Sequence, residues 1–433
     1  FRVVEKIDIS DLKKIKYIYK RYDKIIVSVH KSDKSPFDNY KLSKKEVSLI
    51  NTLKKNNDVV LVFFSNPYAL RDINLNEFES VLVAYQNSDA FQKKASEAVF
   101  GANDIDGILP VSIGKNYKEG TSIVIKKSDI LSFDHPVNLG VDMDKLNKID
   151  SLINYAIKNK MTPGAQLLIA KNSNIIYHKS FGYYTYEKQQ EINNKSIYDL
   201  ASLTKILVSV PLLLKEFTNK NFDLTTKLSD WFPNIELNDK KNLTIKQLFS
   251  HYSGMKSWIP FYKKTIDSVT NKRIDKYFSK TKSKDFPFQV LDELFIKNYN
   301  DTIFNEIVDS ELSDSLNYVY SDLPYFLLKF YLEKTYQTSL DTQIKEFIYD
   351  KIGSFSLTYK PTIYFSKKSI VPTVIDDYFR FDNVHGHVHD MGAAMMDGVS
   401  GHAGLFGNSL DVAKVLQLFL QKGSYSKKIF FDE

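Results

Sequence analysis

Ser202 and Lys205 have the residue types and the spacing that acyl-transfer chemistry requires. They lie three residues apart in SIYDLASLTKILVSVPLLLKEF (196–217). At the start of a helix this spacing puts both side chains on one face, about a turn apart. The serine hydroxyl then faces the free N–H groups of the helix, and partial desolvation would favour a neutral amine able to accept its proton. On spacing alone, the alternative is an N-cap serine followed by a solvated lysine.

The context of this pair favours the chemical interpretation. Lys205 is followed by ILVSVPLLL (206–214), a run too apolar for a surface helix, so the lysine is predicted to be buried. Later in the chain, Tyr320-Ser321-Asp322 precedes a second apolar run, LPYFLLKFYL (323–332). A phenol beside the pair could relay a proton between nucleophile and leaving group. The alternative is a turn tyrosine capped by the serine and the aspartate.

Composition narrows the possible classes of protein. The 433 residues predict about two to four domains. With 43% hydrophobic and 26% charged residues, the chain is neither disordered, collagen-like nor a coiled coil. The net charge of +7 is spread along the chain and gives no reason to expect a nucleic-acid partner. The absence of cysteine excludes disulfides, thiolate metal sites and a cysteine nucleophile. No cofactor is expected, and no run approaches the ~18–20 apolar residues of a transmembrane segment.

Residues 1–125 alternate helical and extended patterns. The apolar runs 23–30, 58–65, 80–86 and GILPVSI (107–113) are of strand type, and helical patterns cover 12–22, 44–56 and 89–101. Continuous apolar strands separated by helices are typical of a parallel sheet covered on both faces. This pattern predicts an open α/β sheet in a three-layer sandwich, followed by a linker at 126–141.

Residues 142–433 follow a different pattern. A helix is predicted from Asp142 to Lys160. PGAQLLIAK (163–171) and NIIYHKSFG (174–182) predict an antiparallel hairpin around the turn 172–174. Helices are then predicted at 203–217, 323–334 and 409–421, so the domain is expected to be α+β.

Four ordered motifs in this second part resemble the β-lactamase-related serine hydrolases. They are 201–205, LTIKQLFSHYSGM (243–255), 320–322 and GVSGHAGLFGNSLDVAKVLQLFL (398–420). The family includes class C β-lactamases, D-alanyl-D-alanine carboxypeptidases and esterases, and the resemblance covers about 140–433. It implies a β-lactamase/transpeptidase-like fold with an antiparallel sheet and a helical region. It also implies that Ser202 is the acylated nucleophile, Lys205 its proton acceptor and Tyr320 the acid/base partner, on a cell-wall-derived peptide or a small ester.

The sequence departs from this family at two places. Asp322 stands where many members have an asparagine that donates to the substrate, and because a carboxylate cannot donate, an ester becomes the more plausible substrate. The family's His/Lys-Thr-Gly strand is expected beyond residue 420 and is not reached. His402 and Gly404 could replace this strand as substrate contacts. The alternative assigns them to the family's Gly-Gly-Leu segment. Loss of an oxyanion donor costs ~100–1000-fold in rate, so the chain as given is expected to be inactive.

The first part resembles the C-terminal sandwich domain of glycoside hydrolase family 3, which includes β-glucosidases and β-N-acetylhexosaminidases. SNPYAL (65–70), the segment 81–113 and GTSIVI (120–125) carry this resemblance. It implies an N-terminal barrel domain in a longer parent protein, consistent with a chain that begins at Phe1. Asp104 and Asp106 are interpreted as turn residues. The alternative function is therefore a glycoside hydrolase whose serine-hydrolase half is idle and binds glycan or peptidoglycan. The absence of cysteine and the resemblance to a cell-wall-type fold favour an exported protein, periplasmic or at the cell surface.

Three further segments are weaker candidates. His385, His387 and His389 alternate beside Asp390 and could bind a metal, border the hydrolase pocket or lie on the surface; no metal site is predicted from them. The segment 398–402 nearly fits a Gly-x-Ser-x-Gly nucleophile elbow but lacks its last glycine and a preceding strand. Ser250 to Gly254 is interpreted as a helix end.

Overall fold

The structure is a computed structural model that describes residues 19, 22–31, 40–55, 57–313 and 317–432. Residue contacts divide the chain into two compact units, Phe1–Ser132 and Phe133–Glu433. The strands are β1 Lys24–His30, β2 Asp58–Phe64, β3 Ser80–Val83, β4 Ser132–Phe133, β5 Gly164–Lys171, β6 Asn174–Gly182, β7 Tyr198–Asp199, β8 Phe278–Ser279, β9 Phe288–Leu291, β10 Leu294–Ile296, β11 Thr358–Tyr359, β12 Val374–Asp376, β13 Asp382–Val384, β14 Leu405–Gly407, β15 Ser424–Tyr425 and β16 Lys428–Ile429. The α-helices are α1 Lys44–Lys54, α2 Asp89–Val99, α3 Met143–Lys158, α4 Val210–Thr218, α5 Leu228–Trp231, α6 Ile245–Phe249, α7 Asn300–Asp309, α8 Leu323–Tyr336, α9 Leu340–Ile344, α10 Asp350–Ile352, α11 Met391–Ala394 and α12 Ser409–Leu420.

The first unit contains a parallel three-stranded sheet in the order β1-β2-β3. The central strand β2 buries both of its faces, as its continuous apolar run predicts. Leu61 and Phe63 pack with Leu53 of α1 on one face, and Val62 packs with Ala95 of α2 on the other. Helices on both sides of a parallel strand confirm the three-layer arrangement around β2. The resemblance of this unit to a glycoside hydrolase domain stays a prediction.

The prediction of a strand at 107–113 is wrong. The chain from 105 to 125 folds back on itself through isolated bridges, which pair Ile105 with Ile125, Ile108 with Ser122 and Ile113 with Tyr117. Pro110 has no N–H to donate to a ladder, and glycines lie on both sides of it, so the apolar run does not form a regular strand. The helix predicted at 12–22 lies almost entirely outside the described residues.

The second unit opens with the predicted helix and hairpin. The Asp142 side chain accepts N–H hydrogen bonds from Asp144 and Lys145 and so caps α3. Strands β5 and β6 pair antiparallel across Asn172 and Ser173, which have φ of 51° and 62°. Two successive positive φ angles are the geometry of a type I′ hairpin turn, so the hairpin prediction is confirmed.

The three strongest helix predictions in this unit are also confirmed. They correspond to the continuous helix 205–218, to α8 and to α12. The first of these begins with a π-helical segment, Lys205–Ser209, which the apolar pattern did not reveal. Among the described residues, no helix combines the length and apolarity that crossing a bilayer requires.

Candidate active site

Ser202 lies in a tight turn between strand β7 and the helix that begins at Lys205. Strand β7 pairs with β14, and Leu200 N–H donates to Leu405 O at 2.9 Å. Ala201, directly before the serine, has a φ of 45°. A left-handed conformation is costly for a residue with a Cβ, and such residues cluster at functional sites. The turn presents Ser202 at the surface of the unit.

Lys205 is buried, with 3% of its surface exposed. Its Nζ donates to Ser202 Oγ at 2.9 Å and to His402 O at 3.3 Å. The π-helical turn that starts here is a rare helical form, and such turns are frequent at functional sites. The structure therefore brings together the serine and lysine that sequence spacing paired.

Asp322 also contacts this amine. Its Oδ1 lies 2.7 Å from Lys205 Nζ, and its side chain is 23% exposed. Lys205 Nζ therefore makes two hydrogen bonds, to Ser202 Oγ and His402 O, and one ion pair, with Asp322. The residue predicted to accept the proton of Ser202 therefore also lies against a carboxylate, and its role as proton acceptor stays a prediction. Substrate binding by Asp322 stays a prediction.

Two tyrosine rings flank the amine of Lys205. The ring centroid of Tyr320 lies 5.0 Å from Nζ and that of Tyr325 lies 5.3 Å from it. Burial, followed by the neighbouring Tyr320 and Asp322, raises the pKa of Tyr325 to about 12. Tyr320 is 42% exposed, and within the described part of the chain its hydroxyl makes no hydrogen bond to Ser202 or Lys205. Its ring faces the Lys205 amine, and its role as acid/base partner stays a prediction.

His251 positions the segment that carries Tyr320. Its Nδ1 accepts the N–H of Ser321 at 3.2 Å, and its ring lies 4.8 Å from the Tyr320 ring. Burial and then the charge of Lys205 lower the pKa of His251, which favours the neutral imidazole that can accept this N–H. The prediction of a helix end is confirmed, because α6 ends at Phe249. This positioning role of His251 was not predicted, although His251 lies within the motif 243–255.

His402 lies in a closed polar network beside Lys205. Its Nδ1 is 2.8 Å from Ser400 Oγ, its Nε2 is 2.9 Å from Asp390 Oδ1, and its ring stacks on Phe326 at 4.2 Å. Ser400 is fully buried, which agrees with rejecting 398–402 as a nucleophile elbow. Gly404, the other weighed substrate contact, has a φ of 113°, and a Cβ there would lie 2.4 Å from Gly398 O. Close backbone approach therefore explains this glycine.

Asp390 anchors the network and provides a test by pH. Burial favours its neutral form, but His402 and the N–H of Ala393 outweigh that effect and hold the pKa of Asp390 below its ordinary value. A carboxyl with a depressed folded-state pKa adds stability that is present above about pH 4 and is lost as pH falls further. Asp390→Asn is expected to lower the free energy of unfolding by about 1.5–3 kcal/mol at pH 7. Urea unfolding from pH 7 to pH 2 should show the two proteins converging in acid; a constant difference would contradict this.

Asp199 joins the Ser202 turn to the loop that carries Asp390. Its Oδ1 accepts the N–H of Ala201 at 2.9 Å, and its Oδ2 accepts that of His389 at 2.7 Å. Burial raises the pKa of Asp199 despite these two hydrogen bonds. The sequence analysis did not select this residue, although it lies three positions before the serine.

We expect Asp199→Asn to impair the turn, because an asparagine oxygen can accept one of these N–H groups while its NH₂ opposes the other. A buried donor without a partner costs about 1–3 kcal/mol. The initial rate of acylation of Ser202 should therefore fall by about tenfold or more, together with the stability. Asp223→Asn, at an exposed turn carboxylate elsewhere, is the control. An acylation rate equal to that of the wild type would exclude a positioning role for Asp199.

The three alternating histidines contact separate partners. His385 Nε2 lies 2.8 Å from Ile370 O, His387 Nε2 lies 3.1 Å from Asp292, and His389 Nε2 lies 3.3 Å from the hydroxyl of Tyr378. In the described ranges, no three His, Asp or Glu side chains group closely enough to hold a metal ion. Of the three interpretations of this segment, the structure agrees with a loop close to Ser202, since the N–H of His389 donates to Asp199 beside the Ser202 turn.

A cavity of about 170 Å³ adjoins Asp322. Its walls combine aromatic and apolar residues with two carboxylates and one imidazole. The lining residues are Trp258, Ile259, Phe261, Tyr262, Asp322, Phe326, Asp390, Met391, Gly392 and His402. Because Asp322 touches both Lys205 and the cavity, a group bound there lies next to the Ser202 site.

Comparison with protein families identifies the class to which this fold and site belong. The model of the beta-lactamase family matches residues 149–429, which cover the site described above. The chain belongs to the beta-lactamase family. This confirms the family-level part of the resemblance and, with it, a β-lactamase-like fold for the second unit.

Individual proteins show the same similarity. The chain is 28% identical over 314 residues to the N-acetylmuramyl-L-alanine amidase of Bacillus subtilis, covering 67% of this chain and 66% of that protein. It is 27% identical over 336 residues to a candidate D-alanyl-D-alanine carboxypeptidase of Escherichia coli O157:H7, covering 72% of each. It also aligns with the octameric penicillin-binding protein homologue from Pyrococcus abyssi, with a TM-score of 0.49, 19% identity and 66% and 58% coverage. That score is too low to establish a shared fold by itself.

Proposed function

We propose that this protein is a serine hydrolase that forms an acyl-enzyme on Ser202. The observation that carries the proposal is the 2.9 Å contact between Lys205 Nζ and Ser202 Oγ in a turn that exposes the serine. A serine hydroxyl is a weak nucleophile, and it gains reactivity from an adjacent group that can take its proton. Family membership supports this assignment.

In the proposed reaction, Ser202 Oγ attacks the carbonyl carbon of the substrate as its proton passes to Lys205. Lys205 takes this proton as a neutral amine, with the Asp322 carboxylate and the Tyr320 ring beside its Nζ. The tetrahedral intermediate then expels the leaving group, which takes up a proton, and water hydrolyses the acyl-enzyme. Tyr320 is the proposed donor to the leaving group, and the proton that Lys205 took from Ser202 then returns the phenolate to the phenol.

The proposed substrate is a peptidoglycan-derived amide. The Bacillus subtilis and Escherichia coli relatives carry names for amide-cleaving enzymes of peptidoglycan. The sequence analysis favoured a small ester because Asp322 cannot donate to a substrate amide. In the structure, the Asp322 carboxylate contacts Lys205. Its inability to donate to a substrate amide therefore no longer favours an ester over an amide. A substrate of this kind supports an exported protein, and a glycosidase barrel in a longer parent chain stays a prediction.

The test is covalent labelling of the serine. The protein is incubated with a fluorophosphonate and, separately, with penicillin G, and the adduct is located by peptide mass spectrometry. We expect modification at Ser202 by at least one reagent. Folded protein that remains unmodified by both, with native circular dichroism, would overturn the proposal.

The contact between Lys205 and Asp322 favours one other function, in which the site is catalytically idle and binds peptidoglycan fragments. A lysine that keeps its carboxylate partner does not accept a proton. Muropeptide binding that is unchanged in Ser202→Ala and Lys205→Ala, without turnover by the wild type, would support this second function.

Tyr320→Phe separates the two roles that its side chain can have. The variant keeps the ring 5.0 Å from Lys205 Nζ but removes the phenol. If the phenol transfers a proton, the initial rate of substrate cleavage should fall by about 10²–10⁴-fold. Tyr318→Phe, at an exposed neighbouring tyrosine, is the control and should retain the rate. A wild-type rate for Tyr320→Phe with a loss in Tyr320→Ala would show that the ring acts instead.

A further inference from the structure

The cavity beside Asp322 contains two carboxylates whose capacity to accept hydrogen bonds is not filled by the described residues. Asp390 Oδ1 accepts from both His402 Nε2 and the N–H of Ala393, and Asp322 Oδ1 contacts Lys205 Nζ. The Oδ2 atoms of Asp390 and Asp322 receive no hydrogen bond from the described residues. A third of the Asp390 side chain is accessible, because it borders the cavity. A ligand here meets two acceptors.

Aromatic rings form an apolar wall of the same cavity. Trp258, Phe261, Tyr262 and Phe326 line it, and Trp258 is half exposed at its edge. Aromatic faces pack against apolar ligand faces, and ligand sites typically combine such walls with a few placed polar groups. The ligand that fits therefore has a C–H face and hydrogen-bond donors.

The charges around the cavity favour a neutral donor over a cation. The Asp322 carboxylate already pairs with Lys205, and Asp390 Oδ1 already accepts hydrogen bonds from His402 Nε2 and the N–H of Ala393. An ammonium bound to the free oxygen of Asp322 would lie only a few ångströms from the Lys205 ammonium, and like charges at such distances repel. Hydroxyl groups donate to carboxylates without that cost.

We infer that this cavity binds a neutral, hydroxyl-rich ring, a single sugar residue that the substrate of Ser202 carries near its scissile carbonyl. The volume of about 170 Å³ lies below the ~300–1,000 Å³ of pockets that enclose drug-sized ligands, so it suits one ring and not a longer glycan. That the sugar belongs to the substrate of Ser202 rests on the proposed function; the sugar site itself does not.

The inference is tested by binding alone. N-acetylglucosamine is titrated into the protein at pH 7 by isothermal calorimetry, and cyclohexylamine serves as a ring-sized cation without hydroxyls. Trp258 fluorescence gives a second signal, since the other tryptophan, Trp231, is buried. Saturable binding of the sugar but not of the amine supports the inference. Preferential binding of the amine, or binding of neither, overturns it.

Variants localise the binding. Trp258→Ala is expected to weaken sugar binding by roughly three- to tenfold, and Asp322→Ala by about tenfold or more. Tyr364→Ala, at an exposed aromatic residue that does not line the cavity, is the matched control and should bind as the wild type does. Equal binding by Trp258→Ala, Asp322→Ala and the control would place the sugar elsewhere and overturn the inference.

Ser202→Ala separates this inference from the proposed function. The variant should bind N-acetylglucosamine with wild-type affinity and should lose covalent labelling. Labelling of the wild type without sugar binding would refute the sugar site and leave the hydrolase proposal intact. Sugar binding without labelling of the wild type would refute the hydrolase proposal and leave the sugar site intact.

Discussion

Ser202→Ala is expected to abolish acylation and to lower the cleavage of an amide or ester substrate by about 10³–10⁶-fold. The variant removes the proposed nucleophile and leaves Lys205 with its carboxylate and carbonyl partners. Because Ser202 is exposed in its turn, no core contact is lost, so the melting temperature should stay close to that of the wild type. The measurements are initial rates of hydrolysis and the yield of labelled protein.

Ser268→Ala is the matched control for this prediction, since Ser268 is an exposed turn serine away from the site. It should hydrolyse and label as the wild type does. Turnover that survives in Ser202→Ala at more than a tenth of the wild-type rate would assign the nucleophile to another residue.

Lys205→Met is expected to reduce the rate by about 10³–10⁶-fold as well, because the amine is the sole side chain in the described part of the chain that hydrogen-bonds Ser202 Oγ. Unlike the serine variant, it should also lose stability. Asp322 would keep a partly buried carboxylate without its cation, at a cost of about 1–3 kcal/mol in the free energy of unfolding. Steady-state kinetics and urea unfolding measure the two effects.

The double variant Lys205→Met/Asp322→Asn distinguishes the two effects. It should recover much of the lost stability, because no unpaired charge remains, but none of the lost rate. Lys240→Met is the control for burial. Lys240 is also buried, and its Nζ donates to Asp239 Oδ1 and Val308 O. It should lower stability without changing acylation per folded molecule. Acylation that survives in Lys205→Met would exclude the lysine as proton acceptor.

The extended and helical elements were predictable where a local pattern specified them. The apolar run of β2 needs cover on both faces, and the polar residues 172 and 173 interrupt two alternating runs, so parallel sheet and hairpin were predicted. The run 107–113 was equally apolar, but Pro110 lacks a donor and the segment pairs with itself. Within this run Ile113 is buried but Ile108 is exposed, so its apolar composition specified neither a strand nor its burial.

By itself the sequence determined the pair of Ser202 and Lys205 and the order of the family motifs. A three-residue separation near a helix start allows the two side chains to meet, and the apolar run after Lys205 predicted that the lysine is buried. The tertiary structure decided which groups surround that pair. Asp322 meets Lys205, Asp199 holds both the serine turn and His389, and Asp390 with His402 closes one side of a cavity. These contacts join residues far apart in the chain, and they depend on how helices and loops pack, which local periodicity does not specify.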